Sequence, residues 1–202
     1  MNKGERQNVY QVYNKIATWF AANRPTGLME KAYLDEMISH LPTQATVLDV
    51  GCGTGDPILK YLISKKLNVT GLDASTQILQ IAKANFPSVE FILQDMRLLN
   101  LNRRFDAIVA WHSFFHLPAA DQPAMFALFA QHLNPDGILL FTSGTEHGEA
   151  WGLNGGENLY HASLDSAAYE SVLKKHHFRV LKHVVNDPDC GYDTIWMTKY
   201  SL

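Results

Sequence analysis

Cysteine is scarce: the 202 residues include two, Cys52 and Cys190. That is too few for a disulfide framework, and neither has a neighbouring cysteine to begin a metal knuckle, so both are expected to be free thiols with no metal bound. Positive charge is also short, with 17 Lys and Arg against 20 Asp and Glu and a formal net charge of -3. The basic doublets Lys65-Lys66, Arg103-Arg104 and Lys174-Lys175 are scattered along the chain. Without a basic track there is no electrostatic footprint for a polyanion, so nucleic acid is not expected as a partner. Long apolar runs are missing too: none approaches the roughly 18 residues that span a bilayer. The first ten residues are polar where a signal peptide needs an apolar stretch. The expectation is a cytoplasmic protein that makes no use of a membrane.

What remains is ordinary globular composition, 47% hydrophobic and 18% charged, enough for one core in one domain. Val9, Val12, Tyr13, Ile16, Trp19 and Phe20 recur at steps of three and four and predict an amphipathic helix, followed by a second over 28–38. The pattern then changes. Short apolar or β-branched runs at 46–50, 68–72, 89–93, 105–111 and 138–142 read as strands, separated by helical stretches at 58–66, 77–85 and 119–133. Such alternation implies crossover connections and a mostly parallel sheet with helices on both faces. A helix over 166–175 follows, for which Ser163 or Asp165 supplies the cap. Residues 178–185 and 194–200 are two more strands, joined by a link too short for a crossover helix, so this last pair is antiparallel. Residues 144–159 hold Gly144, Gly148, Gly152, Gly155 and Gly156 without clear periodicity and read as a long irregular loop, of the kind that forms lids.

Gly51, Gly53 and Gly55 stand where the first strand turns toward its helix, the place where open α/β sheets bind ligands. Glycine lets a ligand approach the backbone, and the helix start at Asp56-Pro57 favours a negative group. Asp73 closes the second strand, from where a carboxylate accepts both hydroxyls of a ribose. A tight turn is the bland reading of the loop alone; its conjunction with Asp73 implies a nucleoside-containing cofactor. The dinucleotide fingerprint would need glycine where Asp56 stands, which disfavours NAD, and no Gly-Lys-Ser/Thr follows to make a P-loop.

The run Val47-Leu48-Asp49-Val50-Gly51-Cys52-Gly53-Thr54-Gly55 resembles the first motif of class I S-adenosylmethionine-dependent methyltransferases. The resemblance continues through Asp73 with Ala74, Gln94-Asp95-Met96, the fourth strand at Phe105 to Trp111 and the turn Leu133 to Gly137. It implies an α/β, Rossmann-like, doubly wound sheet of about seven strands, mostly parallel with an antiparallel C-terminal strand and helices on both faces. A single domain would comprise a helical cap (1–42), a cofactor-binding core (43–143) and an acceptor-side loop, helix and strand pair (144–202). The implied cofactor is S-adenosylmethionine, with S-adenosylhomocysteine as product. Asp49 and the glycines would cradle its methionyl end, and Asp73 and Ala74 would meet the ribose. Asp95 would accept from the adenine amine, with Met96 on the ring; a turn cap and ordinary core packing are their alternatives. Trp111 would offer its backbone carbonyl to the cofactor amine. Tyr13 and Arg24 would meet the methionyl carboxylate or an acidic acceptor, unless the first helix merely packs on the core.

Methyl transfer is an in-line displacement served by alignment and a dry site, and a base is needed only when the acceptor keeps its proton. The segment Trp111-His112-Ser113-Phe114-Phe115-His116 lacks the Asn/Asp-Pro-Pro-aromatic motif of amide and adenine N-methyltransferases, and there is no Pro-Cys nucleophile. His116 is a candidate base or orienting group, with a structural histidine as the alternative, and His112 is expected to do no more than hydrogen-bond locally. Tyr160 and His161 are expected to line the acceptor site. The function so implied is methyl transfer to a small molecule by a monomer or homodimer. A non-catalytic S-adenosylmethionine-binding sensor or partner module is the other reading.

Overall fold

The computed structural model describes residues 6–201. In chain order the elements are α1 (Val9–Asn23), α2 (Lys31–Ser39), β1 (Thr46–Val50), α3 (Ile58–Ser64), β2 (Asn68–Asp73), α4 (Thr76–Asn85), β3 (Glu90–Leu93) and β4 (Phe105–Ala110). Then come α5 (Gln122–His132), β5 (Leu133–Ser143), β6 (Gly148–Asn154), β7 (Glu157–Ser163), α6 (Ser166–Lys175), β8 (Phe178–Asp187) and β9 (Asp193–Tyr200). Seven strands form one sheet in the order β3-β2-β1-β4-β5-β9-β8. The first five are parallel, and β9 runs antiparallel between β5 and β8. This is the doubly wound sheet expected from the alternation of strands and helices.

The buried strands carry apolar side chains on both faces, so each face has its own core. Leu48, Val50, Ile108, Ala110 and Phe141 face one side, where Phe114, Phe126, Phe129, Tyr169 and Trp196 pack among themselves. Val47, Ala107, Val109, Leu140 and Met197 face the other, against Leu34 and Met37 of α2. Local signals set the helix starts. Ser75 Oγ accepts from the Ile78 N–H at 3.2 Å, and Asp165, not Ser163, caps α6 by accepting from the Ala168 N–H at 2.8 Å.

The segment expected to be an irregular loop is instead a β-hairpin. β6 and β7 pair antiparallel from Gly148↔Ser163 to Asn154↔Glu157, apart from the main sheet. Its turn is Gly155-Gly156, with φ of +57° and +84°, the backbone that a two-residue hairpin turn demands. Glycines that read as flexibility are thus partly turn chemistry. The hairpin has a second consequence, because Leu159, Tyr160 and Ala162 pack against Val9 and Val12 of α1. On its other flank α1 is tied to α4: Asn14 Oδ1 accepts from Ser75 Oγ at 2.7 Å and from the Gln77 N–H at 3.1 Å. The first helix is therefore fixed over the carboxyl ends of β1 and β2. The turn expected at Leu133 to Gly137 lies within β5, whose pairing with β4 shifts register between Phe105 and Ala107.

Candidate cofactor and acceptor site

Between α1 and the strand ends lies a cleft of about 740 Å³ including its open mouth, within the roughly 300–1,000 Å³ usual for small-molecule sites. Its floor is the glycine loop. Gly51, Gly53 and Gly55 all have positive φ, and the Gly51 and Cys52 N–H groups both donate to Leu72 O, at 2.7 and 3.0 Å. Asp73 closes the loop from the end of β2: Oδ2 accepts from the Gly53 N–H at 3.1 Å and Oδ1 from the Ser75 N–H at 2.8 Å. Burial pushes the Asp73 carboxyl above its ordinary range, with these backbone donors opposing.

Of the residues singled out from sequence, the cleft walls bring together Tyr13, Arg24, Gly51, Gly53, Asp73, Ala74, Asp95, Met96 and His116. Asp49, Gly55, Trp111, Tyr160 and His161 do not line it. Asp49 lies just beneath, 2% exposed, with Oδ2 lacking any hydrogen-bond partner among the described residues. Burial pushes its carboxyl up to about 7; Arg24 opposes this, while Asp73 and Glu30 add to it. Gly55 sits under the Phe86 ring. Trp111 is buried against Tyr33, ring centroids 5.9 Å apart. Asp95 does act as a turn cap, accepting from the Arg97 N–H at 2.9 Å. Its carboxylate also grips the Arg97 guanidinium at 3.0 and 2.6 Å. Burial would raise the Asp95 carboxyl, but Arg97 outweighs it and holds the group below the usual range. The neighbouring Gln94 lines the cleft with Oε1 buried and, among the described residues, unpartnered.

On the acceptor side, His116 Nδ1 lies 2.8 Å from the Tyr160 carbonyl and Nε2 2.9 Å from the Tyr13 hydroxyl. A carbonyl only accepts, so Nδ1 carries the proton and Nε2 accepts from Tyr13. Burial pushes His116 down to about 3, and His161 adds to the effect. The same burial raises the Tyr13 phenol far above its ordinary range, Arg24 opposing. The His161 ring sits 4.7 Å from that of His116 and 5.2 Å from that of Phe115. Tyr160 is fully buried against Trp151, and its hydroxyl accepts from Arg6 Nε at 3.2 Å. Sequence reading did not assign Phe20, Arg97 or Ser113 to the cleft. Ser113 contributes through a bond that spacing could not reveal, its Oγ donating to Val50 O at 2.6 Å.

A doubly wound sheet with a glycine-lined cleft and an acid at the end of the second strand defines a nucleoside-binding α/β protein. Residues 47–137 match the family model described as a methyltransferase domain. The chain is 38% identical over 103 residues to dTDP-3-amino-3,6-dideoxy-alpha-D-glucopyranose N,N-dimethyltransferase of Streptomyces fradiae, covering 50% of this chain and 40% of that protein. It is 30% identical over 149 residues to the ubiquinone/menaquinone biosynthesis C-methyltransferase UbiE of Campylobacter jejuni, covering 67% of this chain and 63% of that one. The chain thus spans less than two thirds of the length of these curated relatives. Among solved structures, the DhpI-SAH complex superposes with a TM-score of 0.76 at 19% identity, covering 100% of this chain and 99% of that one. The N1-methyltransferase of Burkholderia thailandensis bound to 1,6-didemethyltoxoflavin and S-adenosylhomocysteine gives 0.72 at 16%, covering 96% and 86%. Residues 47–137 therefore belong to the methyltransferase-domain family, and the fold is the one that S-adenosylmethionine-dependent methyltransferases of known structure share.

The family's cofactor fits the residues present. Its methionyl end carries an ammonium and a carboxylate, and beneath the cleft lie an unpartnered buried carboxylate at Asp49 and, in its wall, the Arg24 cation. Its adenine end carries an amine, and there the wall holds the unpartnered Gln94 Oε1. Among the described residues no group of three or more metal-ligating side chains is placed to hold an ion. Nor is any helix long and apolar enough to cross a membrane.

Proposed function

We propose that this protein transfers a methyl group from S-adenosylmethionine to a small-molecule acceptor. The observation that carries the reading is the cleft itself, with Asp73 tied to the glycine loop at one end and an aromatic, histidine-rich wall at the other. Bound there, S-adenosylmethionine supplies an electrophilic methyl for in-line displacement. Asp73 and Ala74 hold the ribose, Gln94 and Met96 meet the adenine, and Asp49, Arg24 and the glycine backbone hold the methionyl end. Asp95, occupied by Arg97, shapes the adenine wall. Tyr13 fixes the reacting end from above, and His116, with both nitrogens engaged, positions Tyr13. His161 borders the acceptor space, while Tyr160 supports His116 through its carbonyl. Of the helical cap (1–42), the cofactor core (43–143) and the acceptor-side segment (144–202), the first two supply the walls of the cleft, and the third backs its acceptor end through Tyr160 and His161. The sugar N,N-dimethyltransferase relative supports a small acceptor. The test is formation of S-adenosylhomocysteine against a panel of amino sugars, amines, phenols and quinols. Binding of S-adenosylmethionine with no product from any acceptor would favour the sensor reading instead.

Asp49 makes this site pH-sensitive. With its carboxyl pushed up to about 7, the unliganded protein is stabilised by the protonated form. That stability is present below the ordinary carboxylate range near about 4 and is lost as pH rises through about 7. A cofactor ammonium favours the carboxylate, so binding releases a proton between these limits and tightens as pH rises toward neutrality. Calorimetric titration with S-adenosylhomocysteine at about pH 6 will give a binding enthalpy that depends on buffer ionisation enthalpy. Asp49→Asn will remove the dependence, and a buffer-independent enthalpy in the parent protein would refute the assignment.

A further inference from the structure

His112 was expected to bond locally. Its Nε2 instead hydrogen-bonds Asp193 at the start of β9, 81 residues away. The backbone is arranged for this: φ of His112 is +49°, an uncommon conformation for a residue with a side chain. Its N–H donates to Thr142 Oγ1 on β5 at 2.9 Å. The ring is flanked by Trp111 and Phe115, with centroids 5.7 and 5.8 Å away, and it forms part of the cleft wall beside Ser113 and His116.

Hydrogen-bond logic fixes the tautomer. Asp193 as a carboxylate only accepts, so Nε2 carries the proton and the basic lone pair resides on Nδ1. Nδ1 makes no hydrogen bond among the described residues. His116 is the opposite case, because both its nitrogens are already engaged. Of the two histidines in the cleft wall, His112 alone therefore combines a vacant nitrogen with a carboxylate partner placed to balance an imidazolium. The titratable groups facing it are Asp193 on β9, His161 on β7 and His116 in the turn after β4.

Building on the proposed methyl transfer, we propose that His112, oriented by Asp193, is the general base that takes the acceptor's proton. The acceptor class is then one that keeps its proton at the attacked atom: an ammonium or amine N–H, or a hydroxyl. For an ammonium or a hydroxyl the N–H or O–H bond breaks, its electron pair stays on the acceptor as the nucleophilic lone pair, and the proton goes to His112 Nδ1; a neutral amine attacks with the lone pair it already has, and the ammonium so formed gives its N–H proton to the same nitrogen. The resulting imidazolium lies against Asp193 and returns its proton to water through the cleft mouth.

Two measurements test this. Histidine nitrogen NMR of the intact protein should show the Nε2–H tautomer at His112, and Asp193→Asn should shift the His112 Nε2 resonance. The Nδ1–H tautomer, or an Nε2 resonance unmoved in the variant, overturns the dyad. Kinetics with amino sugars, primary amines and phenols as probe acceptors supply the second. His112→Asn should lower kcat about a hundredfold while S-adenosylhomocysteine affinity, measured by calorimetry, shows that the variant is folded and loaded. Asp193→Asn, an isosteric change, should lower kcat less than His112→Asn does while leaving the acceptor KM unchanged. A His112→Asn kcat within about threefold of the parent removes His112 as base and leaves the methyltransferase reading standing. If the parent binds S-adenosylmethionine and methylates none of the probes, the transfer reading and the base role are both overturned.

Discussion

Asp73→Ala will weaken binding of S-adenosylhomocysteine by about a hundredfold or more. Each carboxylate oxygen of Asp73 accepts one backbone N–H, from Gly53 and from Ser75. An ionised carboxylate has about four acceptor sites, so each oxygen keeps capacity for one ribose hydroxyl from the cleft side. Hydrogen bonds to charged groups contribute about 1.5–3 kcal/mol each. Two of them correspond to at least two decades of affinity at about 1.4 kcal/mol per decade. The substitution also frees the Gly53 N–H, so the glycine loop loses its anchor to β2. Calorimetric titration checks the effect, with NADH as the competing ligand. An Ala variant that binds within about threefold of the parent would show that the ribose is held elsewhere, and tighter binding of NADH would overturn the cofactor assignment.

The parts that were legible in sequence share one property: their determinants are local. Strands buried on both faces must be apolar runs, so β1, β4 and β9 were readable to within a residue. The glycine loop and Asp73 were readable because strand, turn and acid follow in one short stretch. The β6–β7 hairpin was not. Its first strand, Gly-Glu-Ala-Trp-Gly-Leu-Asn, is mostly exposed or half-exposed, so no buried face imposes alternation on it. Tyr160 and His161 looked like a pair because they are adjacent, yet a strand sends neighbours to opposite faces. Tyr160 goes into the core, and His161 joins His116. The bond between His112 and Asp193 connects the β4 turn to the start of β9, two elements that only the inserted antiparallel strand brings side by side. No spacing rule reports such a contact. Asp95 shows the converse: its place after β3 was read correctly, but Arg97, two residues on, takes up its carboxylate.

Gly51→Ala will lower the melting temperature by about 5–15 °C and abolish cofactor binding, whereas Gly53→Ala will do far less to stability. The two glycines share positive φ, +73° and +58°, but differ in what a Cβ would meet. At Gly51 it would fall 2.2 Å from Ser113 Cβ and 2.9 Å from its Oγ. Ser113 cannot swing aside, since its Cβ is fixed by the backbone and its Oγ is held by Val50 O. The loop after β1 or the turn after β4 must therefore move. At Gly53 the nearest atom is the edge of the Phe20 ring at 3.6 Å, an ordinary contact. A left-handed alanine costs about 1–2 kcal/mol and overpacking about 1–3 kcal/mol. For a chain of this length each kcal/mol shifts the melting temperature by about 2–4 °C. Gly51→Ala incurs both terms and Gly53→Ala only the first. The movement forced at residue 51 also displaces Ser113 and the His112 and His116 rings that share its turn, so binding should be lost even below the lowered melting temperature. A thermal scan separates the two variants: equal shifts would mean that backbone conformation alone requires glycine here. The larger shift for Gly51→Ala would mean that the glycine exists to let the β4 turn, with its histidines, close onto the cofactor loop.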